Sequence, residues 1–151
     1  TFLMEKEDRD IDGLENMLNN QSGLFGISGV SPDLRDIYAA AGQGNSRAAL
    51  AIDLFKYQCR KLIGAYTSTM GGVDAVVFTA GIGENAPDIR AGACKDLGCM
   101  GITIDPYRNA AAIGKEAIIS DDDTPVKVLV VPTQEELVIA NETARVCGHG
   151  R

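Results

Sequence analysis

Val73-Asp74-Ala75-Val76-Val77-Phe78-Thr79-Ala80-Gly81-Ile82-Gly83-Glu84-Asn85 joins an apolar, β-branched run directly to two glycines, after which the chain re-enters a helical pattern. The pattern predicts a buried strand over Asp74–Thr79. A strand that delivers glycines to a helix start is one way an α/β protein seats a phosphate. Glycine lets backbone N–H groups approach an anion, and the helix N-terminus adds partial positive charge. The same glycines also suit a plain strand-to-helix turn, so the run alone leaves both readings open. It is not Gly-x-Gly-x-x-Gly, because position 86 is Ala and no acidic residue ends a strand about 20 residues on. No Gly-Lys-Ser/Thr follows, which excludes a Walker loop. A nucleotide here would be held by backbone and shape, and a Rossmann dehydrogenase is disfavoured.

The second clear strand is Val126–Val131, followed by Thr133-Gln134-Glu135-Glu136 and a helix to about Val146. The Thr133/Glu136 spacing predicts a capping box, which gives Glu136 a local task. Glu135 is left free at the carboxyl end of a strand, a reasonable place for a ligand to a hydrated Mg²⁺, which takes few direct carboxylates. A first-turn glutamate that complements the helix dipole is the competing reading.

Working outward, Asp12 is placed to cap a short helix through about Asn20, and the charged segment before it is expected to be exposed. Ser22–Gly29 reads as a tight loop or short strand. Ser31 as N-cap and Pro32 at the first helical position predict a helix to near Gly42. Within it, Asp33-Leu34-Arg35 is by itself a common surface pairing. Ser46 is expected to cap a long helix ending at Met70, with Leu50, Leu54, Leu62, Ile63 and Tyr66 on one side. Asn85 and Pro87 mark a helix to about Leu97, on which Arg90 could reach a neighbouring loop or pair with Asp88 or Asp33. Gly101–Ile104 is a predicted short strand ended by Asp105-Pro106. Ala117–Ser120 is another, followed by a solvated turn at Asp121–Asp123. Two strands that each feed a helix through a short polar turn give an α/β order, a sheet flanked by helices.

The 151 residues suit one domain, and 45% hydrophobic and 23% charged residues are ordinary for a globular protein. A net charge of −7 with scattered basic residues argues against a nucleic-acid surface. No apolar run reaches bilayer length and no signal peptide opens the chain. Cys59, Cys94, Cys99 and Cys147 form no CxxC pair, so free thiols in a reducing cytosol fit better than zinc or disulfides. The single histidine, His149, reads as a solvated tail residue, which leaves Ser/His or Cys/His catalysis without support.

Four phrases in order, Ser22–Gly29, Ser31–Ile37, Phe78–Asn85 and Val131–Leu137, resemble the C-terminal part of the acetate kinase family. The resemblance implies the ribonuclease-H-like fold of the actin, sugar kinase and acetate kinase superfamily, with a mixed sheet flanked by helices. It implies reversible transfer of the ATP γ-phosphoryl group to acetate, giving acetyl phosphate and ADP, in a cytoplasmic homodimer. By carry-over, Gly81, Ile82, Gly83, Glu84 and Asn85 would hold the nucleotide, with Asp33, Leu34 and Arg35 as a second wall, and Glu135 would be the Mg²⁺ ligand. Gln134 departs from the Asn or Asp usual there. The family's catalytic and phosphoryl-stabilising residues lie upstream and have no counterpart here. Residues 1–151 are therefore expected to be a nucleotide-binding C-terminal portion without its N-terminal domain, inactive alone and with no catalytic residue of its own. A propionate or butyrate kinase piece and a non-catalytic interaction module on the same fold are the alternatives.

Overall fold

A computed structural model describes residues 2–148, so the reading of His149 lies outside the described residues. The chain divides into two compact units, one up to Ile63 and one from Gly64 onward.

The first unit is helical. It comprises α1 (Phe2–Glu7), α2 (Ile11–Asn20), α3 (Gly23–Ser28), α4 (Leu34–Gly42) and the start of α5 (Ser46–Thr69). Each cap sits one or two residues from where local spacing put it. Asp10, not Asp12, caps α2 by accepting from the Gly13 N–H at 2.8 Å. Asp33, not Ser31, caps α4, and the Ser31 hydroxyl accepts from the Asp33 N–H and donates to Asp36. Asn45, not Ser46, caps α5, its Oδ1 accepting from the N–H groups of Arg47 and Ala48. Ser22–Gly29, expected as a loop or strand, is helix α3, closed by Gly29 in the left-handed conformation at φ 68°. Arg47 fixes that end by donating to the Gly26 and Ile27 carbonyls. The long helix keeps its expected length but turns a different side inward: Ala48, Ala51 and Ile52 are buried, whereas Leu50, Leu62 and Tyr66 are exposed.

The second unit carries the sheet: β1 (Ala75–Phe78), α6 (Ala80–Asn85), α7 (Pro87–Cys94), a 3₁₀ turn (Gly98–Met100), α8 (Pro106–Ala111), β2 (Ala117–Ile118), β3 (Lys127–Val130) and α9 (Glu135–Val146). The sheet order is β1-β3-β2. β1 runs parallel to β3, with Ala75 opposite Lys127 and Phe78 opposite Val130, and β2 runs antiparallel to β3. This mixed sheet with helices around it is the expected α/β class. Val128 and Val130 are fully buried on one face, with Ile89, Ala93, Ile102 and Ile119 completing the interior. The expected strand Gly101–Ile104 supplies one bridge, Ile104 to Ser120, because Gly101 turns the chain at φ 76°. Asp105-Pro106, expected only to end that strand, starts α8 instead, Asp105 accepting from the Tyr107 and Arg108 N–H groups. The turn at Asp121–Asp123 is not merely solvated, since Asp122 takes a two-pronged bond from Arg108 at 2.7 Å on each oxygen.

Candidate functional site

β1 and β3 are adjacent and parallel, so both deliver the chain to the same edge of the sheet, β1 into α6 and β3 into the segment before α9. Ligands of open α/β sheets bind outside the carboxyl ends of strands. The two sets of candidate residues in this unit, Gly81–Asn85 and Glu135, stand there.

The glycines are not a loop. Thr79 is extended, Ala80 turns left-handed at φ 60°, and Gly81 and Gly83 lie inside α6. The helix therefore starts earlier than the expected Asn85 or Pro87, and Pro87 opens a separate helix, α7. By helix geometry the first-turn amides, Gly81 and Ile82 among them, have no acceptor within α6. The two glycines have different causes. A Cβ at Gly83 would lie 3.1 Å from the Phe78 carbonyl carbon, so glycine is what lets α6 fold back on the end of β1. A Cβ at Gly81 would meet nothing within 4 Å, so nothing in the chain requires glycine there. Ile82 is exposed, and the Asn85 side chain donates to the Gly81 carbonyl at 3.0 Å.

Arg90 holds this short helix from behind. It is fully buried, and its guanidinium donates to the Gly83 and Glu84 carbonyls at 2.7 and 3.0 Å. The same group donates to Oδ1 and the carbonyl of Asn109 and to the Ala112 carbonyl. Arg90 thus reaches the neighbouring turn, the first of its expected alternatives. Burial pushes its pKa down, with Asp88 opposing. Asn109, which also donates to the Pro87 carbonyl, had no signal in sequence spacing beyond the Asp105-Pro106 helix start.

The expected capping box does not form. The Thr133 N–H and hydroxyl both donate to Oε1 of Glu84, at 2.8 and 3.0 Å, and Thr133 lies one residue ahead of the N-cap of α9. Gln134 occupies the N-cap without a side-chain bond, and Glu136 has no capping role. Glu135 is an exposed first-turn carboxylate at an open cleft of about 410 Å³ formed by Thr133–Leu137. Two larger clefts, of about 530 and 560 Å³, lie around Ile102 and Asp105 and contain none of the candidate residues. No group of three metal-binding side chains occurs among the described residues. The donors near Glu135 therefore suit a largely hydrated hard cation rather than a closed cage of protein ligands.

Asp33, Leu34 and Arg35 belong to the first unit. Asp33 caps α4 through the Arg35 N–H at 2.8 Å and pairs with the Arg35 guanidinium, while Leu34 is buried. The Arg35 bonds hold the Asp33 carboxyl at about 2, and Asp33 raises Arg35 in return. The Arg108 guanidinium likewise lowers Asp122 and is raised by it. Burial pushes the Cys94 thiol up to about 12 and the Cys59 thiol upward. Among the described residues no helix is long and apolar enough to cross a membrane.

The family model described as the Acetokinase family matches residues 1–141. Acetate kinase of Alkaliphilus metalliredigens is 54% identical over 143 residues, which is 95% of this chain and 36% of that protein. Acetate kinase of Acetivibrio thermocellus is 55% identical over 145 residues, 96% of this chain and 36% of that protein. The crystal structure of Porphyromonas gingivalis acetate kinase superimposes with a TM-score of 0.89 at 45% identity, over 97% of this chain and 37% of that one. A propionate kinase structure from Francisella tularensis gives a TM-score of 0.81 at 36% identity, over 93% of this chain and 35% of that one. The chain thus spans a little over a third of the length of the curated relatives it matches.

Proposed function

The chain belongs to the acetokinase family, and on that premise we propose that it holds the nucleotide in phosphoryl exchange between ATP and acetate. In that reaction the γ-phosphoryl group of ATP passes reversibly to acetate, giving acetyl phosphate and ADP. The observation that carries the reading is the open Gly81 position, in the first turn of α6 at the carboxyl end of β1. A glycine with empty space over it and unpartnered first-turn amides suits close approach of a phosphate.

In this reading the amides of Gly81 and Ile82 bind phosphate oxygens, and the exposed Ile82 side chain offers an apolar surface toward the nucleoside. Asn85 and Arg90 keep α6 in place. Glu135 would hold Mg²⁺, which when bound offsets phosphate charge. Positioning and charge stabilisation are most of what phosphoryl transfer asks of a protein, so a rigid nucleotide seat is a functional contribution in its own right. Domain organisation follows the same reading: a nucleotide-binding C-terminal portion, working in a cytoplasmic homodimer, with acetate and acetyl phosphate as the other ligands.

Equilibrium binding tests the proposal. The chain should bind Mg-ATP saturably, ADP should compete, and NADH should not. Absence of Mg-ATP binding at millimolar nucleotide would favour a non-catalytic module on the same fold. Propionate in place of acetate is a second reading, motivated by the Francisella tularensis propionate kinase structure. Comparing the two acids as phosphoryl acceptors in the full-length protein separates them.

A further inference from the structure

Glu84 lies in α6, the helix proposed to carry the nucleotide, yet its carboxylate is already taken up elsewhere. Oε1 accepts both the N–H and the hydroxyl of Thr133, a residue 49 positions along the chain. Its main-chain carbonyl accepts from Arg90 at 3.0 Å and from the Gly114 N–H at 3.2 Å. Both ends of the residue are therefore fixed by the protein. A carboxylate facing a polyphosphate would also repel it, and more strongly where water is excluded. At the other end of the tie, α9 buries none of its residues and its Gln134 N-cap makes no side-chain bond. Glu135 stands two residues beyond Thr133.

We infer that Glu84 is a positioning residue: it ties the segment before α9 to α6 and so sets where the Glu135 carboxylate stands relative to the nucleotide turn, without touching the nucleotide. The inference rests on the nucleotide reading for its consequence and on the Glu84–Thr133 bonds for its geometry. A partner bonded directly to a metal ligand governs metal affinity by about tenfold or more; Glu84 acts one step further out, through the backbone between Thr133 and Glu135, so its effect should be smaller.

Two measurements on the 151-residue chain test it, using Glu84→Ala, Glu84→Gln and the parent. Without ligand, the Thr133 amide should exchange with solvent about tenfold faster in Glu84→Ala, a loss of the size expected for one charge-assisted hydrogen bond. Glu84→Gln, which keeps an acceptor oxygen in place, should stay near the parent. Equal exchange in the parent and Glu84→Ala overturns the tie. With ATP, Glu84→Ala should raise the half-saturating Mg²⁺ concentration about fivefold, below the roughly tenfold that a direct partner of the ligand governs. Its affinity for ATP in EDTA should be unchanged within about twofold, since the proposed phosphate contacts are main-chain amides. Weakened ATP binding in EDTA with unaltered Mg²⁺ dependence would mean that Glu84 contacts the nucleotide, and would overturn the inference. A parent chain that binds no ATP contradicts the nucleotide reading instead, and amide exchange at Thr133 then judges the tie by itself.

Discussion

The buried Arg90 guanidinium lies 2.7 Å from the Gly83 carbonyl and caps α6, a helix of six residues. So short a helix is not stable by itself. Arg90 satisfies its last carbonyls and links it to α8 through Asn109 and Ala112. The cation is thus a fastener for the candidate site, bonded to neutral oxygens, with the Asp88 carboxylate acting on it through charge.

Replacing Arg90 should accordingly cost stability in proportion to the acceptors left behind. Arg90→Ala would leave carbonyls of Gly83, Asn109 and Ala112 without this donor. At about 1–3 kcal/mol for each buried polar group left unsatisfied, a loss of more than about 3 kcal/mol is expected. Arg90→Lys should recover only part of it, since an ammonium has three donors on one atom and cannot span the same oxygens. Urea unfolding of the three proteins measures the difference.

Gly83→Ala should also destabilise, by about 1–3 kcal/mol, because its Cβ would press on the Phe78 backbone at 3.1 and 3.4 Å. The neighbour is main chain at the end of β1 and cannot rotate aside. Thermal unfolding should show a clear drop, and an unchanged midpoint would mean that α6 sits further from β1.

The site was legible in part. Asp74–Thr79 and Val126–Val131 betray their strands as apolar runs bounded by turn residues, but β1 is not the buried strand expected, since its residues alternate between exposed and half-buried while β3 carries the buried valines. The long helix is likewise plain from Ser46 to Met70, one residue beyond its observed end. Thr133 misleads for a physical reason: Thr-x-x-Glu spacing is a local pattern, whereas α9 starts one residue later at a Gln134 N-cap and Thr133 is tied to Glu84 across the parallel pairing of β1 and β3. Gly81 and Gly83 look alike in sequence, and only the fold shows that one is pressed against Phe78 while the other faces open space. The burial of Arg90 was not legible either, since its partners at 109 and 112 depend on how α8 packs.

The Asp33 carboxyl should titrate near 2 rather than at its ordinary value of 3.8, because the Arg35 side-chain and backbone bonds favour its charged form. The folded value lies below the unfolded one. Its contribution to stability is therefore complete above about 3.8 and is lost as pH falls toward 2. Carboxyl-detected NMR should find the midpoint moving upward in Arg35→Ala. A midpoint that stays put would mean that the ion pair does not form in solution.

Thiol reactivity should separate the cysteines. Cys94 is buried with its pKa pushed to about 12, while Cys99 is exposed. Thiolate is the reactive form, so alkylation of the native chain at pH 8 should label Cys99 and spare Cys94 until the chain unfolds. Mass mapping of the labelled peptides reads this directly.

The central claim is that α6 is the nucleotide seat, and Gly81→Ala tests it most directly. Nothing lies within 4 Å of the added methyl, and alanine is the better helix former by about 1 kcal/mol, so the chain should remain as stable or gain slightly. Mg-ATP affinity, followed by titration with the backbone amides of Gly81–Asn85 as reporters, should fall about tenfold or more, because the methyl would occupy the space a phosphate needs. Unchanged stability together with unchanged Mg-ATP affinity, or nucleotide shifts that bypass these amides, would contradict the account.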